Sequence, residues 1–346
     1  MALDWDPPAI RIPRSWQRRG LVLRRPEAPG SSVAGDPAVV WDEEADLWRM
    51  FLFLAPGGHG HATSAEALPD PGSWRPEGPL EFTNPGELLG RTTHKPWVVT
   101  EAGRPNRAAR VAGRFWLVTV SGGGRKRVQR AWAERLRGPW TVEPGPLIPV
   151  GRPGDFDARH TDAVTGYYFP ERQAFLYFYM GYPDRAQPRA GSPHGSAQAA
   201  AVQHLGAPAA TKLGVILPPC PEPGHWAAGW VGGLQLLPGV TTRWVGLVNA
   251  SPTPPDPGDP AVSREEPPPS LGGFASCAAD WPVAGWRWDD APIEWVADIP
   301  PEAIAAGEGV NLWRHHAMVR PDGSLALFYN SGPYGREQIY AKVGGP

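Results

Sequence analysis

The sequence predicts an all-β chain, a single five-bladed β-propeller over residues 1–346 whose ring is closed by an N-terminal strand completing the last blade. Three observations predict it. A unit of four short strands, about sixty residues long, recurs along the chain and has the spacing of a propeller blade. Gly (42) and Pro (44) break the apolar runs at short intervals, which favours turns and short strands over long helices. The final unit holds only three strands, and a matching fourth can be read near the N-terminus. The 17 tryptophans argue against a disordered chain, because large aromatics need a core or a ligand.

The blades follow in order. The first spans about 33–82, with an inner strand from Asp36-Pro37 through Trp41, an apolar second strand Leu47 to Phe53, a small-residue third Gly60 to Ala65, and a fourth from Trp74 to Leu80. The second (94–149) repeats the apolar strand at Arg114 to Val120, the third (155–218) at Ala174 to Met180, the fourth (225–297) at Arg243 to Asn249, and the fifth (309–346) at Ser324 to Asn330. Such near-continuous apolar runs suit strands covered on both faces by neighbouring sheets. Small-residue strands follow at Val128 to Ala133, Ser196 to Gln203, Gly273 to Ala279 and Glu337 to Val343. Residues 15–23, Ser15-Trp16 then Gly20-Leu21-Val22-Leu23, carry the pattern of an outer strand and complete the fifth blade, which removes exposed edges. A β-sandwich of similar strand spacing is the alternative.

The net charge of −2 offers no basic footprint for nucleic acid, and no apolar run is long enough to span a bilayer. Met1 to Asp6 is acidic and lacks a signal peptide's apolar region, and two cysteines, Cys220 and Cys277, imply no disulfide framework. The expected location is cytoplasmic, with a small-molecule partner rather than nucleic acid or membrane.

In a propeller the starts of the inner strands converge at one mouth of the channel. Here those starts carry Asp36, His94-Lys95, His160-Thr161-Asp162, Trp226 to Trp230 and Asn311 to His316. Polar side chains at the heads of apolar strands are costly unless they are paired, hydrated or functional. Asp155, Asp157, Glu222 and Glu308 flank the same face. Arg159, Arg314 and Arg336 have the fork geometry to hold a planar anion, and Trp230, like Trp41, Trp97 and Trp313, could stack on a ring. His94, His160 and His315 could also meet at a metal with Asp36 or Asp162, although no metal-ligand spacing marks such a site. The connections between second and third strands lie on this face. They include Ser331 to Arg336 and the proline-rich Ala250 to Leu271, which reads as a lid or flap. Gly122 to Lys126 reads as a hairpin, since it lacks the setting of a phosphate loop.

Asp36-Pro37 opening the first blade, Asp162 opening the third and a Glu nearer the C-terminus resemble the five-bladed glycosidases of the family 43 and family 32 type. His94 to Val99, Phe115 to Val118 and Gly138-Pro139-Trp140 are similar to the second blade of that superfamily. The resemblance implies hydrolysis of a small glycoside by paired carboxylates. Asp36 matches the base or nucleophile, and Asp162 matches the carboxylate that orients substrate and tunes the acid. The acid is open between Glu222 and Glu308. His94, Lys95, His160, Arg159, Trp230, Arg314, His315 and Arg336 are the expected substrate contacts. No cofactor is required, while a structural calcium or other divalent metal in the channel, as in some relatives, stays open. The alternatives are a non-catalytic carbohydrate- or metabolite-binding propeller, or a propeller enzyme using histidine or metal chemistry on a non-sugar metabolite.

Overall fold

The computed structural model describes residues 9–27, 32–55, 58–66, 70–88, 93–122, 125–184, 196–252, 270–309, 313–333 and 335–345. The expected proline-rich flap falls largely on 253–269, outside the described residues, as do Gly123 and Gly124 of the expected hairpin.

Antiparallel groups of four strands recur through the described residues. Ala34–Asp42, Leu47–Leu54, Gly58–Ser64 and Arg75–Pro79 form the first, in chain order. Thr93–Val98, Phe115–Ser121, Arg127–Ala133 and the short Thr141–Val142 form the next. His160–Phe169, Ala174–Tyr182, Ala197–His204 and Thr211–Leu217 follow. Trp230–Pro238, Trp244–Ser251, Leu271–Cys277 and Trp286–Pro292 come after them. Trp313–Val319, Leu325–Ser331 and Gln338–Gly344 end the chain, and Trp16–Leu23 pairs antiparallel with Gln338–Gly344 from Trp16 opposite Gly344 to Leu23 opposite Ile339.

The burial of each strand follows from its place in the group. The second strands Phe115–Ser121 and Leu325–Ser331 are buried along their whole length. The outer strand Arg75–Pro79 is mostly exposed. Small third strands let neighbouring groups approach. Ala199, Ala200 and Ala201 are fully buried, and a Cβ on Gly273 would lie 2.5 Å from the Trp226 ring. Aromatic pairs join each group to the next: Phe51 with Trp140, Trp97 with Tyr167, Phe169 with Trp244, Trp16 with Phe274, and Trp74 with Phe328.

Two features are absent from the sequence reading. The hairpin Thr100–Glu101 and Arg104–Ala108 bridges the first and third groups, so that they run together as one ten-stranded sheet. Its Asn106 side chain is hydrogen-bonded to both the carbonyl and the N–H of Val319, across the middle of the molecule. In addition, every inner strand loses register over two residues near its start: Asp36-Pro37, Lys95-Pro96, Ala163-Val164, Gly232-Gly233 and Arg314-His315. Proline has no N–H for the ladder, which explains the break at the first two. Among the described residues no helix is long and apolar enough to cross a membrane.

Candidate active site

The register breaks build the site. At four of them a non-glycine residue takes the left-handed backbone conformation: Asp36 (φ 55°), Lys95 (φ 56°), Ala163 (φ 45°) and Arg314 (φ 47°). Each such residue costs of order 1–3 kcal/mol, and such strain clusters where a side chain must be aimed. All four line one cavity of about 380 Å³, together with His94, Lys126, Asn249, Asn330 and Glu337. Val33, Phe53, Met180, Tyr182 and Trp230 form its less polar wall.

Lys95 links two carboxylates. Its backbone N–H donates to Asp36 Oδ2 at 3.1 Å, and its Nζ donates to Asp162 Oδ1 at 2.6 Å. Asp162 is fully buried behind the cavity wall. Its carboxylate also accepts from Lys126 Nζ at 3.0 Å and from the Ala163 N–H at 2.6 Å. Burial opposes its charge, but Lys126 and Lys95 outweigh burial and hold Asp162 well below the usual carboxylate range. Burial pushes Asp36 the other way, above its ordinary value, with Lys95 and Arg314 restraining the rise. The Asp36 N–H donates to Asn330 Oδ1 at 3.3 Å.

Glu337 is the cavity's other carboxyl group. It is 6% exposed, and its Oε2 has no hydrogen-bond partner among the described residues. Burial raises its pKa, and the charge of Asp36 adds to the rise against the pull of nearby backbone N–H groups. Burial and the Lys95 charge hold His94 well below the ordinary histidine value, so it is neutral. Arg314 donates Nη2 to the Val164 carbonyl, while its buried Nη1 has no partner among the described residues.

Of the residues expected from sequence, Asp36, His94, Lys95, Trp230 and Arg314 line the cavity, and Asp162 supports it from behind. The others stand apart. Glu222 is exposed on a turn outside the lining. Glu308 is buried elsewhere, accepting from Arg18 and from the Tyr329 hydroxyl at 2.6 Å in a network that includes Glu294 and Lys342. His160 lies behind Lys126, with Nδ1 accepting the Lys126 N–H at 3.0 Å, and Arg159 is likewise off the lining. His315 is buried with Nδ1 2.8 Å from the Asn249 amide and its ring stacked on Tyr329. Arg336 is exposed and off the lining. His94, His160 and His315, which the sequence left open as metal ligands, stand apart: His94 lines the cavity, His160 lies behind Lys126 and His315 packs on Tyr329. Among the described residues no three His, Cys, Asp or Glu side chains gather as a metal cluster.

Glu337, Lys126, Asn249 and Asn330 are cavity residues that the sequence reading missed. The signal for Glu337 is positional. It directly follows Ser331 to Arg336, a connection that a propeller puts on the face of the site, yet it reads as the first residue of a strand.

No protein-family model matches the sequence, and no curated protein matches it. Solved structures do match in fold. A structure titled as a glycoside hydrolase aligns with a TM-score of 0.68 at 16% identity, covering 95% of this chain and 92% of its own. A thermostable family-43 glycoside hydrolase aligns at 0.62 and 15% identity, covering 93% and 96%. An endo-arabinase from Bacteroides thetaiotaomicron aligns at 0.56 and 12% identity, covering 89% and 92%. The repeated four-stranded groups, the cavity at the heads of their inner strands and these alignments together give the chain the β-propeller fold of family-43 and related glycoside hydrolases.

Proposed function

We propose that the chain is a glycoside hydrolase that cleaves a small glycoside with Asp36 and Glu337, on a single five-bladed domain whose ring is closed by Trp16–Leu23. The aromatic pairs between successive groups and the pairing of the first strand with the last support the closed five-bladed reading. The observation that carries the function is a pair of buried carboxyl groups on one cavity, Asp36 flanked by Lys95 and Arg314 and Glu337 facing the charge of Asp36.

Hydrolysis of a glycosidic bond needs one carboxylic acid to protonate the leaving oxygen and one carboxylate to act as nucleophile or to activate water. Burial raises Asp36, and Lys95 and Arg314 beside it work against that rise in favour of the ionised form. Burial and the nearby Asp36 charge favour the protonated form of Glu337, and its Oε2 has no hydrogen-bond partner among the described residues. Asp162 stays ionised and holds Lys95, so its role is to position Lys95 and through it Asp36. Trp230 and Phe53 supply apolar wall for a sugar ring.

The test is turnover of a panel of aryl glycosides, beginning with arabinosides and xylosides because solved structures of similar fold include an endo-arabinase and an endo-xylanase, and extending to glucuronides and galacturonides. Asp36→Asn should lower kcat by at least about 10³-fold with the circular dichroism spectrum unchanged. Wild-type turnover in Asp36→Asn, or in both Asp36→Asn and Glu337→Gln, would reject the assignment. Saccharide binding with no turnover in the wild-type protein would instead favour the binding-propeller reading. The anomer released reports the carboxyl separation, roughly 5–5.5 Å for retention and 6.5–9.5 Å for inversion.

A further inference from the structure

We infer that the saccharide bound in this cavity carries a carboxylate, as a uronic acid residue does, and that Arg314 is the residue that holds it. The inference rests on the reading of the cavity as a glycoside site and narrows its substrate class.

Arg314 is built into place for a ligand. Its backbone is left-handed, which turns the side chain into the cavity. Its guanidinium lies over the Trp97 ring, 5.8 Å from the centroid, and Nη2 is tied to the Val164 carbonyl. The planar group is therefore fixed at two points. Nη1 is buried yet has no partner among the described residues. Gly233 leaves it the space, since a Cβ there would stand 2.4 Å from Nη1. A buried charged donor with nothing to bond is costly, and one on a residue that lines a ligand-sized cavity calls for an acceptor from the ligand.

Charge identifies the acceptor. Lys95, Lys126 and Arg314 face the cavity; Asp162 is paired with both lysines, and Asp36, which hydrolysis needs as a carboxylate, accepts the Lys95 N–H. With Glu337 carrying the proton that the hydrolysis needs, one positive charge is left without a counterion. A neutral sugar hydroxyl would meet the donor of Nη1 but would leave that charge unbalanced in a low-dielectric cavity. A carboxylate meets both, and a guanidinium recognises it with charge-assisted hydrogen bonds.

The experiment is calorimetric titration of the wild-type protein at low salt with D-galacturonic and D-glucuronic acids, and with D-galactose and D-glucose as neutral partners. A uronate should bind at least about tenfold more tightly than its neutral counterpart, the scale of a charge-assisted hydrogen bond. The methyl ester of that uronate should bind no better than the neutral sugar. Arg314→Gln should abolish the preference, and Arg314→Lys should keep part of it. Should the Arg314 variants fail to fold, the methyl ester and Gly233→Ala, which crowds Nη1, supply the same comparison. Equal affinity for acidic and neutral sugars, no affinity for either uronate, or an undiminished preference in Arg314→Gln would each overturn the inference. Turnover of neutral glycosides without uronate preference would sink this inference alone. Uronate preference without turnover of any glycoside would sink hydrolysis and leave the binding assignment standing.

Discussion

Asp36 and Glu337 sit on one cavity, and their neighbours separate their roles. Both lie above their ordinary values of 3.8 and 4.5, chiefly through burial. Asp36 acts ionised, so activity is lost as pH falls through its raised pKa, giving an acidic limb above about pH 4. Glu337 acts protonated, so activity is lost as pH rises through its own raised value. Glu337→Gln should remove the basic limb of the kcat/KM profile and lower kcat/KM about 10²–10⁴-fold on substrates with poor leaving groups, with a smaller loss for a dinitrophenyl leaving group. An unchanged basic limb in Glu337→Gln would assign the acid elsewhere. At this scale the sequence made Asp36, His94, Lys95, Trp230 and Arg314 readable because each heads an inner strand. Glu337 was hidden because it reads as the first residue of a small-residue strand, whereas that strand starts at Gln338 and Glu337 closes the connection before it. Glu308 misled because a buried carboxylate can be spent on an ion network, here with Arg18 and the Tyr329 hydroxyl.

The strands repeat, and repetition is what made them legible: a long apolar second strand and a small-residue third return in each group. The small third strand has a packing reason that can be tested at Gly273. A methyl group there would lie 2.5 Å from the Trp226 ring, which is itself fully buried. Gly273→Ala should destabilise the fold by about 1–3 kcal/mol, seen as a lower urea midpoint at unchanged m-value. An unshifted midpoint would mean that the Trp226 ring moves aside without cost. The hairpin Thr100–Glu101 and Arg104–Ala108 was not legible. Its strands are short and polar, and Pro105 within Arg-Pro-Asn-Arg-Ala argues against a strand. Its value lies in the side chain of Asn106, which satisfies the backbone of a distant inner strand, a role that no periodicity encodes. The register breaks were equally silent, apart from the two prolines that mark them.

Across the whole molecule, histidine burial sets the response to acid. His59, His315 and His316 are pushed down to about 3, and His61 and His160 to about 4, in each case first by burial. An unfolded chain protonates these rings near pH 6.5, so below that pH it binds more protons than the folded chain, and stability falls with pH. Each fully buried ring costs about 1.4 kcal/mol per pH unit until its folded value is reached, and the half-exposed His160 costs less. Asp162, held low, acts in the same direction below its ordinary 3.8. Asp36 and Glu337 act oppositely: their raised values remove stability as pH rises through the ordinary carboxylate range. Urea midpoints should therefore be steady from pH 8 to 7 and fall steeply between pH 6.5 and 4. A flat profile over that window would show that the buried rings take up protons without unfolding.

The pairing of Trp16–Leu23 with Gln338–Gly344 also has a consequence for biosynthesis. The ribosome makes the first of these strands long before its partner, because the two are far apart in the chain. Arg18, on the early strand, finds its carboxylates Glu294 and Glu308 only late as well. Until Gln338–Gly344 has been made this segment lacks its sheet partner, although Trp16 can already meet Phe274. Long separations of this kind slow folding through the entropy of closing the loop. A nascent chain stalled before Gln338 would carry this early strand loose, along with a bare edge on Leu325–Ser331, and both would be open to chaperones or to a neighbouring nascent chain.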